Sequence, residues 1–229
     1  MKKIVILTGA GISAESGIKT FRDADGLWEG HDVMQVASPM GWERDKNLVL
    51  DFYNKRRAQL MQVVPNEAHH ALALLEKQFE TTIITQNVDD LHERSGSKNV
   101  IHLHGELLKV RSTNNENLIY KWGKDLHLGD LGEDNHQLRP HIVWFGEAVP
   151  MLDKAIEITA MADILIIIGT SMQVYPAASL INFIKPKTPI YFIDPKPTIA
   201  ENQYSNLKII AKKASVGVPK IVMQLIEKL

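Results

Sequence analysis

Short runs of apolar, mostly β-branched residues alternate along this chain with longer stretches in which apolar residues recur every three or four positions. Such alternation is typical of a parallel β-sheet covered by helices on both faces. The runs are hydrophobic almost throughout, which indicates strands that are buried on both sides. We therefore predict an α/β fold. The predicted strands span residues 3–8, 81–85, 100–103, 142–145, 164–168, 190–193 and 207–210.

Two regions interrupt this alternation. Residues 21–42 carry three glycines and a proline among charged residues, which predicts a loop. Residues 106–140 are rich in asparagine, glycine and charge, and a structureless stretch of this length is uncommon inside a compact domain. We therefore predict a small insert with minor structure of its own. The predicted helices span residues 45–63, 66–79, 153–161, 177–184 and 219–228.

Charge and cysteine content argue against several classes of function. The 26 Lys and Arg residues nearly balance the 27 Asp and Glu residues, so bulk charge does not favour nucleic acid or a membrane surface as a partner. No apolar run is long enough to cross a membrane, and the first strand reaches Gly9 too early for a signal peptide, so we expect a cytoplasmic protein. The absence of cysteine excludes disulfides, thiolate catalysis and tetracysteine zinc sites.

The first predicted strand runs directly into a glycine-rich turn, Gly-Ala-Gly-Ile-Ser-Ala at residues 9–14. A strand, a glycine turn and a helix start can bind a dinucleotide pyrophosphate, because backbone amides approach the anion there. The same pattern occurs in tight turns that bind no ligand, and that alternative stays open. A dehydrogenase is disfavoured, because a second strand ending in an acidic residue should follow after about 20 residues. That distance falls in the predicted loop, which could close over a nucleotide.

Five ordered sets of residues extend this pattern: Gly-Ala-Gly-Ile-Ser at 9–13 with Phe21-Arg22, Thr-Gln-Asn-Val-Asp-Asp-Leu-His at 85–92, His-Gly at 104–105, Phe-Gly-Glu at 145–147, and Gly-Thr-Ser at 169–171 with Val-Tyr-Pro at 174–176. Together they resemble the motifs of the sirtuin family, the NAD-dependent protein lysine deacylases. The resemblance implies a Rossmann-like NAD-binding domain at residues 1–20, 64–104 and 141–229, with a small domain made of residues 21–63 and 105–140. It implies that acylated lysine-containing proteins or peptides are the partners, and that NAD is consumed to give nicotinamide, free lysine and O-acyl-ADP-ribose.

The resemblance also implies three catalytic residues, His104, Asn87 and Asp89. His104 follows an apolar strand at the edge where ligands of parallel sheets gather, and an imidazole pKa of about 6.5 suits a general base. From the residues alone, a structural histidine is an equal alternative. His102 lies two residues earlier and should point to the opposite face, so we predict a structural role for it. Asn87 and Asp89 are implied to line the nicotinamide pocket, and either could also cap the helix that follows.

Further NAD and substrate contacts are implied by the resemblance. Gln86 falls on the ribose side, and Asp194 stands where the family usually has an asparagine, which leaves its contact open. The substrate peptide should be clamped as an added strand, with loose sequence specificity. The implied NAD contacts are Gly9, Ala10, Gly11, Ser13, Glu15, Phe21, Arg22, Gln86, Asn87, Asp89, Gly169, Thr170, Ser171, Asp194 and Ala214. The implied substrate contacts are Tyr53, Arg56, Val143, Phe145, Gly146, Glu147, Val174 and Tyr175.

Tyr53 and Arg56 form an i,i+3 pair on one face of a predicted helix. The pair resembles the Tyr-x-x-Arg pattern of class III sirtuins, which implies recognition of the distal carboxylate of succinyl- or malonyl-lysine. Its alternative is a solvated surface arginine beside Lys55 and Arg57. We predict removal of succinyl, malonyl and acetyl groups. Two alternative functions remain, a protein mono-ADP-ribosyltransferase and a non-catalytic module that binds NAD or ADP-ribose.

No metal site is predicted. Most sirtuins bind zinc through two Cys-x-x-Cys pairs, and the corresponding positions here fall near Ser112 and Asn115 and near Leu131 and Asp134. These side chains are poor zinc ligands or cannot bind zinc at all. His127, His136 and His141 match no familiar ligand spacing. In place of zinc we predict an apolar cluster of Trp122 with Leu118, Leu126 and Leu128, and hydrogen bonds from Ser112, Thr113 and the Asn-rich segment.

Overall fold

The structure is a computed structural model that describes residues 1–19, 27–28 and 30–228. Its strands are β1 (Lys3–Thr8), β2 (Leu27–Trp28), β3 (His31–Asp32), β4 (Glu80–Thr85), β5 (Val100–His102), β6 (Gly105–Ser112), β7 (Ile119–Lys121), β8 (Leu138–Ile142), β9 (Ile164–Ile168), β10 (Ile190–Ile193) and β11 (Leu207–Ile210). Its helices are α1 (Gly11–Ala14), α2 (Val33–Val36), α3 (Pro39–Arg44), α4 (Lys46–Leu60), α5 (Glu67–Leu75), α6 (Leu91–Arg94), α7 (Leu152–Ala160) and α8 (Ala214–Ile226), with 3₁₀ helices at Ala177–Phe183 and Glu201–Gln203.

Six parallel strands form the central sheet, in the order β11-β10-β9-β1-β4-β5. Numbered by their order along the chain, they lie 3-2-1-4-5-6 from β5 to β11, which is the Rossmann arrangement. The apolar runs are buried on both sides, because α5 and α8 pack on one face while α7 and the 3₁₀ helix Ala177–Phe183 pack on the other. The predicted α/β fold is therefore confirmed.

Six of the seven predicted strands form this sheet, and four of them have the predicted bounds. The prediction for residues 142–145 is wrong. Strand β8 ends at Ile142 and pairs antiparallel with β6, outside the central sheet. The following Trp144 is buried in the cluster that packs around α4. Burial without strand pairing therefore explains the apolar pattern of this segment.

Three of the predicted helices are found as α4, α5 and α7, and two predictions need correction. Residues 177–184 were predicted as an α-helix, but a 3₁₀ helix forms, and at its start the Ser179 amide donates to the Pro176 carbonyl at 3.0 Å. The last helix begins at Ala214 rather than at residue 219. Its buried face, which includes Val218 and Ile221, compensates for the single amide that Pro219 lacks.

The described part of region 21–42, which was predicted to be a loop, contains short elements instead. Strands β2 and β3 pair antiparallel, and α2 and α3 follow. The Asp32 side chain accepts from the Met34 amide at 2.8 Å, and the Ser38 hydroxyl accepts from the Gly41 amide at 3.0 Å. Both short helices therefore begin with a side-chain cap, and buried Trp42 anchors α3.

Residues 105–142, which we call the small module, have structure of their own, as predicted for the second irregular region. Strands β7, β6 and β8 form an antiparallel sheet in that order. The Asn54 side chain of α4 donates to the Leu126 carbonyl at 3.0 Å and accepts from the Leu126 amide at 2.9 Å. The buried Asn54 side chain thus bonds to the backbone of Leu126 as a neighbouring strand would, and it connects the small module to α4.

Hydrogen bonds centred on Ser112 link the two segments where zinc ligands would otherwise lie. The Ser112 hydroxyl donates to Asp134 Oδ2 at 2.6 Å and accepts from the amides of Asn114 and Asn115 at 3.0 and 3.2 Å. Thr113 contributes only its backbone amide, which donates to the Gln137 carbonyl. Among the described residues, no group of three or more His, Asp or Glu side chains is arranged to hold a metal ion.

The predicted apolar cluster of this module is only partly correct. Leu126 is buried and Trp122 packs partly against the cluster around α4. Leu128 is exposed, however, and Leu118 is half-buried outside that cluster. The apolar residues therefore join the core beside α4 rather than forming a separate one.

Replacing Ser112 by alanine is expected to lower the free energy of unfolding by about 1 to 3 kcal/mol, because two amides lose their buried acceptor. Urea unfolding of the whole chain would measure this loss. Thr113→Ala is the matched control, since its side chain is exposed and its amide contact is kept. Equal stability of the two variants would show that the Ser112 network does not hold the module.

No helix in the part of the chain that the structure describes has the length and apolar content needed to cross a bilayer.

Candidate active site

One cavity of about 730 Å³ lies at the carboxyl ends of the central strands. Its walls come from the turns after β1, β4, β9 and β10, from α4, and from the segment after β8. Ligands of open parallel sheets bind at this edge, where the strand order reverses between β1 and β9. Every predicted catalytic, cofactor and substrate residue within the described ranges lines this cavity. Phe21 and Arg22 lie outside the described residues.

The glycines at the strand reversal allow two turns to touch. The Gly9 amide donates to the Ile168 carbonyl at 3.0 Å, and the Gly11 amide donates to the Gly169 carbonyl at 2.8 Å. A Cβ on Gly169, whose φ is +60°, would lie 2.4 Å from the Ile12 nitrogen. These two amides are thus occupied within the protein. These glycines allow the two turns to pack closely. The sequence pattern predicted that backbone amides of this turn bind a phosphate, but the amides of Gly9 and Gly11 bond within the protein instead.

His104 is half-buried in the cavity wall after β5. Its Nδ1 lies 3.0 Å from the Gln86 carbonyl oxygen, which can only accept a hydrogen bond. Nδ1 therefore carries the hydrogen, and Nε2 keeps its lone pair. Burial lowers the pKa of His104 below 6.5, and the hydrogen bond to Gln86 offsets part of this effect. The imidazole is consequently neutral at neutral pH and able to accept a proton.

His102 differs from His104 in its partners. Its Nδ1 lies 3.0 Å from the Asn87 carbonyl and its Nε2 lies 2.7 Å from a Glu93 carboxylate oxygen. Burial alone would lower the pKa of His102, but the Glu93 hydrogen bond and charge outweigh it and raise that pKa. Both ring nitrogens are thus used within the protein, in keeping with the structural role predicted for His102.

Asn87, Asp89 and Ser13 form a buried network beside His104. The Asn87 amide group donates to the Ser13 hydroxyl at 3.1 Å, and that hydroxyl donates to Asp89 at 2.9 Å. Burial raises the pKa of Asp89. Asp89 also accepts from the amide of Leu91, the first residue of α6, at 3.2 Å. The N-cap of α6 is Asp90 and has no side-chain cap bond, so neither Asn87 nor Asp89 is the cap, although Asp89 satisfies the first helical amide.

Other predicted NAD contacts in the cavity also bond to residues of the protein. Gln86 donates to the Thr170 hydroxyl at 3.1 Å, which joins the turns after β4 and β9. Asp194 is buried and accepts from the Lys196 amide at 2.8 Å. The Glu15 carboxylate accepts from the Ser215 amide and hydroxyl near the start of α8. The Asp194 carboxylate thus stiffens its own turn, and the Glu15 carboxylate joins the end of α1 to α8.

Tyr53 and Arg56 line the cavity from α4. Arg56 is only 7% exposed, and its guanidinium lies 4.3 Å from the centre of the Trp28 ring. The alternative of a solvated surface arginine is therefore wrong. Arg57 is buried as well and donates to the Asn54 side chain and the Leu107 carbonyl, whereas Lys55 is exposed.

Glu147 holds the segment after β8 in place through ion pairs and a hydrogen bond within the protein. Its carboxylate lies 2.6 Å from Arg139 and 3.4 Å from Arg111, and it accepts from the Trp144 amide at 2.8 Å. Burial alone would raise the pKa of Glu147, but Arg139 and the other donors hold it below its ordinary value. Phe145 and Tyr175 also line the cavity, and both are exposed and therefore available to a substrate chain.

Sequence reasoning missed Trp144, which belongs to this wall, and Arg139, which contacts its ring. Trp144 lines the cavity, and its indole Nε1–H donates to the Tyr53 hydroxyl at 3.0 Å. Arg139 lies over the indole, 3.3 Å from the ring centre. A tryptophan directly before the Phe-Gly-Glu motif was the available signal, but its neighbour on α4 is 91 positions away in sequence. Only the folded chain brings these side chains together.

A dinucleotide suits this cavity. Its volume falls in the range of roughly 300 to 1,000 Å³ that is usual for cofactor pockets. The turns that meet at Gly9 and Gly169 leave no room for side chains, so their backbone forms the floor of the cavity. Amide, hydroxyl and carboxylate groups of Gln86, Ser171 and Asp194 line the walls, as the hydroxyls of two riboses would require.

Comparison with known proteins gives a consistent result. The Sir2 family matches residues 9–176. A protein of Helicobacter pylori named NAD-dependent protein deacylase is 61% identical over 229 residues, covering 99% of each chain, and one of the same name from Bacteroides thetaiotaomicron is 51% identical, again covering 99% of each chain. The crystal structure of a Sir2 homolog bound to NAD superposes with a TM-score of 0.88 at 39% identity, covering 99% of this chain and 90% of that chain.

Proposed function

Because the chain belongs to the Sir2 family and is an NAD-dependent protein deacylase, we propose that it removes succinyl and malonyl groups as well as acetyl groups from lysine. One observation carries the proposal. Tyr53 and Arg56 are buried on α4 and line the same cavity as His104. A carboxylate at the end of an acyl chain would meet a guanidinium and a phenol hydroxyl there.

A carboxylate needs donors and positive charge when it leaves water, and this end of the cavity supplies both. Arg56 remains charged at any physiological pH. Burial raises the pKa of Tyr53, so its hydroxyl keeps its hydrogen and remains a donor. A charge-assisted hydrogen bond contributes roughly 1.5 to 3 kcal/mol. One such bond therefore favours a succinyl over an acetyl group by roughly tenfold to a hundredfold.

We propose that the remaining site residues divide the work of deacylation between them. Bound NAD supplies the ADP-ribose group that receives the acyl group, and it releases nicotinamide. Asn87 and Asp89 orient the nicotinamide end, while Gln86, Thr170 and Asp194 hold the riboses. His104 accepts a proton at Nε2 as the general base. Phe145 and Tyr175 bind the substrate chain on either side.

We also propose the domain division that the resemblance implies. Residues 1–20, 64–104 and 141–229 would form the NAD-binding domain, and residues 21–63 and 105–140 the small domain. The contacts between Asn54 and Leu126 support this division, because they join the two inserts directly.

Replacing Arg56 by methionine is expected to lower kcat/KM for a succinyl-lysine peptide by roughly tenfold to a hundredfold. The reason is that methionine keeps much of the side-chain volume but removes the charge and the donors. Activity on the matching acetyl-lysine peptide should be largely kept. Mass spectrometry of succinyl, malonyl and acetyl peptides incubated with NAD would measure all three rates.

Lys55→Met is the matched control, because it removes an exposed positive charge one residue away on the same helix. It should leave the succinyl-to-acetyl ratio unchanged. Equal losses on succinyl and acetyl peptides in Arg56→Met would contradict the proposed carboxylate site. ADP-ribose that remained attached to protein would instead indicate ADP-ribosyl transfer.

A further inference from the structure

We propose that Trp144 is a specificity-positioning residue, whose indole N–H fixes the Tyr53 hydroxyl so that its hydrogen is presented to the carboxylate of an acyl group. This inference rests on the proposed carboxylate site. It adds a residue that the Tyr-x-x-Arg pattern does not contain and that lies on a different segment of the chain.

The geometry of the pair fixes the direction of the hydrogen bond. Trp144 Nε1 lies 3.0 Å from the Tyr53 oxygen, and both side chains are buried. An indole nitrogen can only donate, so the Tyr53 oxygen must accept. Trp144 is also the single hydrogen-bond partner that the described residues give this hydroxyl. The phenolic hydrogen therefore remains for a group within the cavity.

The direction matters because a phenol hydroxyl can present either a hydrogen or a lone pair. A carboxylate is an acceptor only, so a lone pair turned toward it would be repulsive. When the Tyr53 oxygen accepts the indole hydrogen, its lone pair points toward Trp144 and its own hydrogen points toward the carboxylate. Hydrogen bonds in a chain also polarise one another, which makes the phenol a better donor. Arg56, three residues along the same helix, would supply the charge.

The indole is held in place from several sides. The Arg139 guanidinium stacks 3.3 Å from its ring centre, and the ring of Trp42 lies 5.8 Å away. Glu147 pairs with Arg139 and also accepts from the Trp144 backbone amide. A tryptophan fixed in this way holds its N–H in one direction, which a mobile side chain could not do.

A double-mutant cycle tests the inference. The variants are Trp144→Phe, Tyr53→Phe and the two combined, each assayed for kcat and KM on succinyl- and acetyl-lysine peptides. Trp144→Phe should lower the succinyl-to-acetyl ratio of kcat/KM by about threefold to tenfold, mainly through a higher KM for the succinyl peptide. Tyr53→Phe should lower the ratio further. The double variant should match Tyr53→Phe, because the indole would then have no hydroxyl to fix.

The outcomes separate the inference from the proposed function. An unchanged ratio in Tyr53→Phe would overturn the carboxylate site and this inference with it. A lowered ratio in Tyr53→Phe together with an unchanged ratio in Trp144→Phe would overturn this inference alone. So would a Trp144→Phe effect that persists undiminished in the double variant, or one that is equal for both peptides, since a role in packing would produce either.

A second substitution removes the N–H while it keeps the shape of the ring. Incorporation of 3-benzothienylalanine at position 144 replaces the indole N–H by sulfur. If Trp144→Phe does not fold, the variant with 3-benzothienylalanine at position 144 provides the comparison of succinyl and acetyl activities instead. A lowered succinyl-to-acetyl ratio would support the inference, and a ratio equal to that of the unmodified protein would overturn it.

Discussion

Replacing His104 by alanine is expected to lower kcat for deacylation by at least about a hundredfold, because a positioned general base contributes roughly 10² to 10⁴ in rate. The structure gives this residue one ring nitrogen to anchor it and one that is available. Its Nδ1 donates to the Gln86 carbonyl, which leaves Nε2 to accept a proton, and His104 lines the cavity. Release of nicotinamide and deacylated peptide in single-turnover assays would measure the loss.

Binding of NAD should survive this substitution, since the glycine turns and Gln86 are untouched. Isothermal titration would show it. His102→Ala is the control, because it removes a second imidazole, two residues away, whose ring nitrogens are both used within the protein by Glu93 and the Asn87 carbonyl. A loss of kcat in His102→Ala as large as in His104→Ala would contradict the assignment of the base.

The pH profile gives an independent measure of the same residue. A base acts only in its neutral form, and burial holds the pKa of His104 below 6.5. Activity should therefore be fully present at neutral pH and be lost only as the pH falls through that lowered pKa. This acidic limb should be missing from the residual activity of His104→Ala.

Replacing Gly169 by alanine is expected to lower the free energy of unfolding by about 3 kcal/mol. A positive φ costs an alanine roughly 1 to 2 kcal/mol, and overpacking typically adds 1 to 3 kcal/mol. Here the new methyl would lie 2.4 Å from the Ile12 nitrogen and 2.6 Å from the Gly11 carbonyl carbon. Backbone atoms cannot move aside as a side chain can. Urea unfolding would measure the stability, and titration with NAD would show the accompanying loss of affinity.

Gly129→Ala separates the cost of a positive φ from the cost of overpacking. Gly129 also has a positive φ, of +94°, but a Cβ there would meet nothing within 4 Å. Its substitution should cost only about 1 kcal/mol and leave NAD binding unchanged. If Gly169→Ala were no more destabilising than Gly129→Ala, the contact between the two turns would not be a source of stability.

The strands of the central sheet could be predicted from sequence because apolar or β-branched residues make up most of each strand. β9, for example, is five apolar residues that are all buried. The prediction failed for residues 142–145, where the burial of Trp144 comes from α4 and not from strand neighbours. The loop predicted for residues 21–42 was also wrong in its described part, where capping by Asp32 and Ser38 stabilises helices too short to show a period.

The candidate site could be anticipated where its residues lie at strand ends, because parallel strands bring their carboxyl ends together. Gln86, His104 and Gly169 were expected near one another for that reason, and they line one cavity. The contacts between Trp144 and Tyr53 and between Asn54 and Leu126 could not be anticipated. They depend on how α4 packs against distant segments, which no local pattern encodes.

The Glu147 carboxylate bonds both to Arg139, which lies against the indole, and to the backbone of the segment that carries Phe145. If Phe145 binds the substrate chain and the Tyr53 hydroxyl binds the acyl carboxylate, as proposed, then peptide affinity and acyl-group selectivity both depend on Glu147. A substitution that moves Glu147 is then expected to change both properties together.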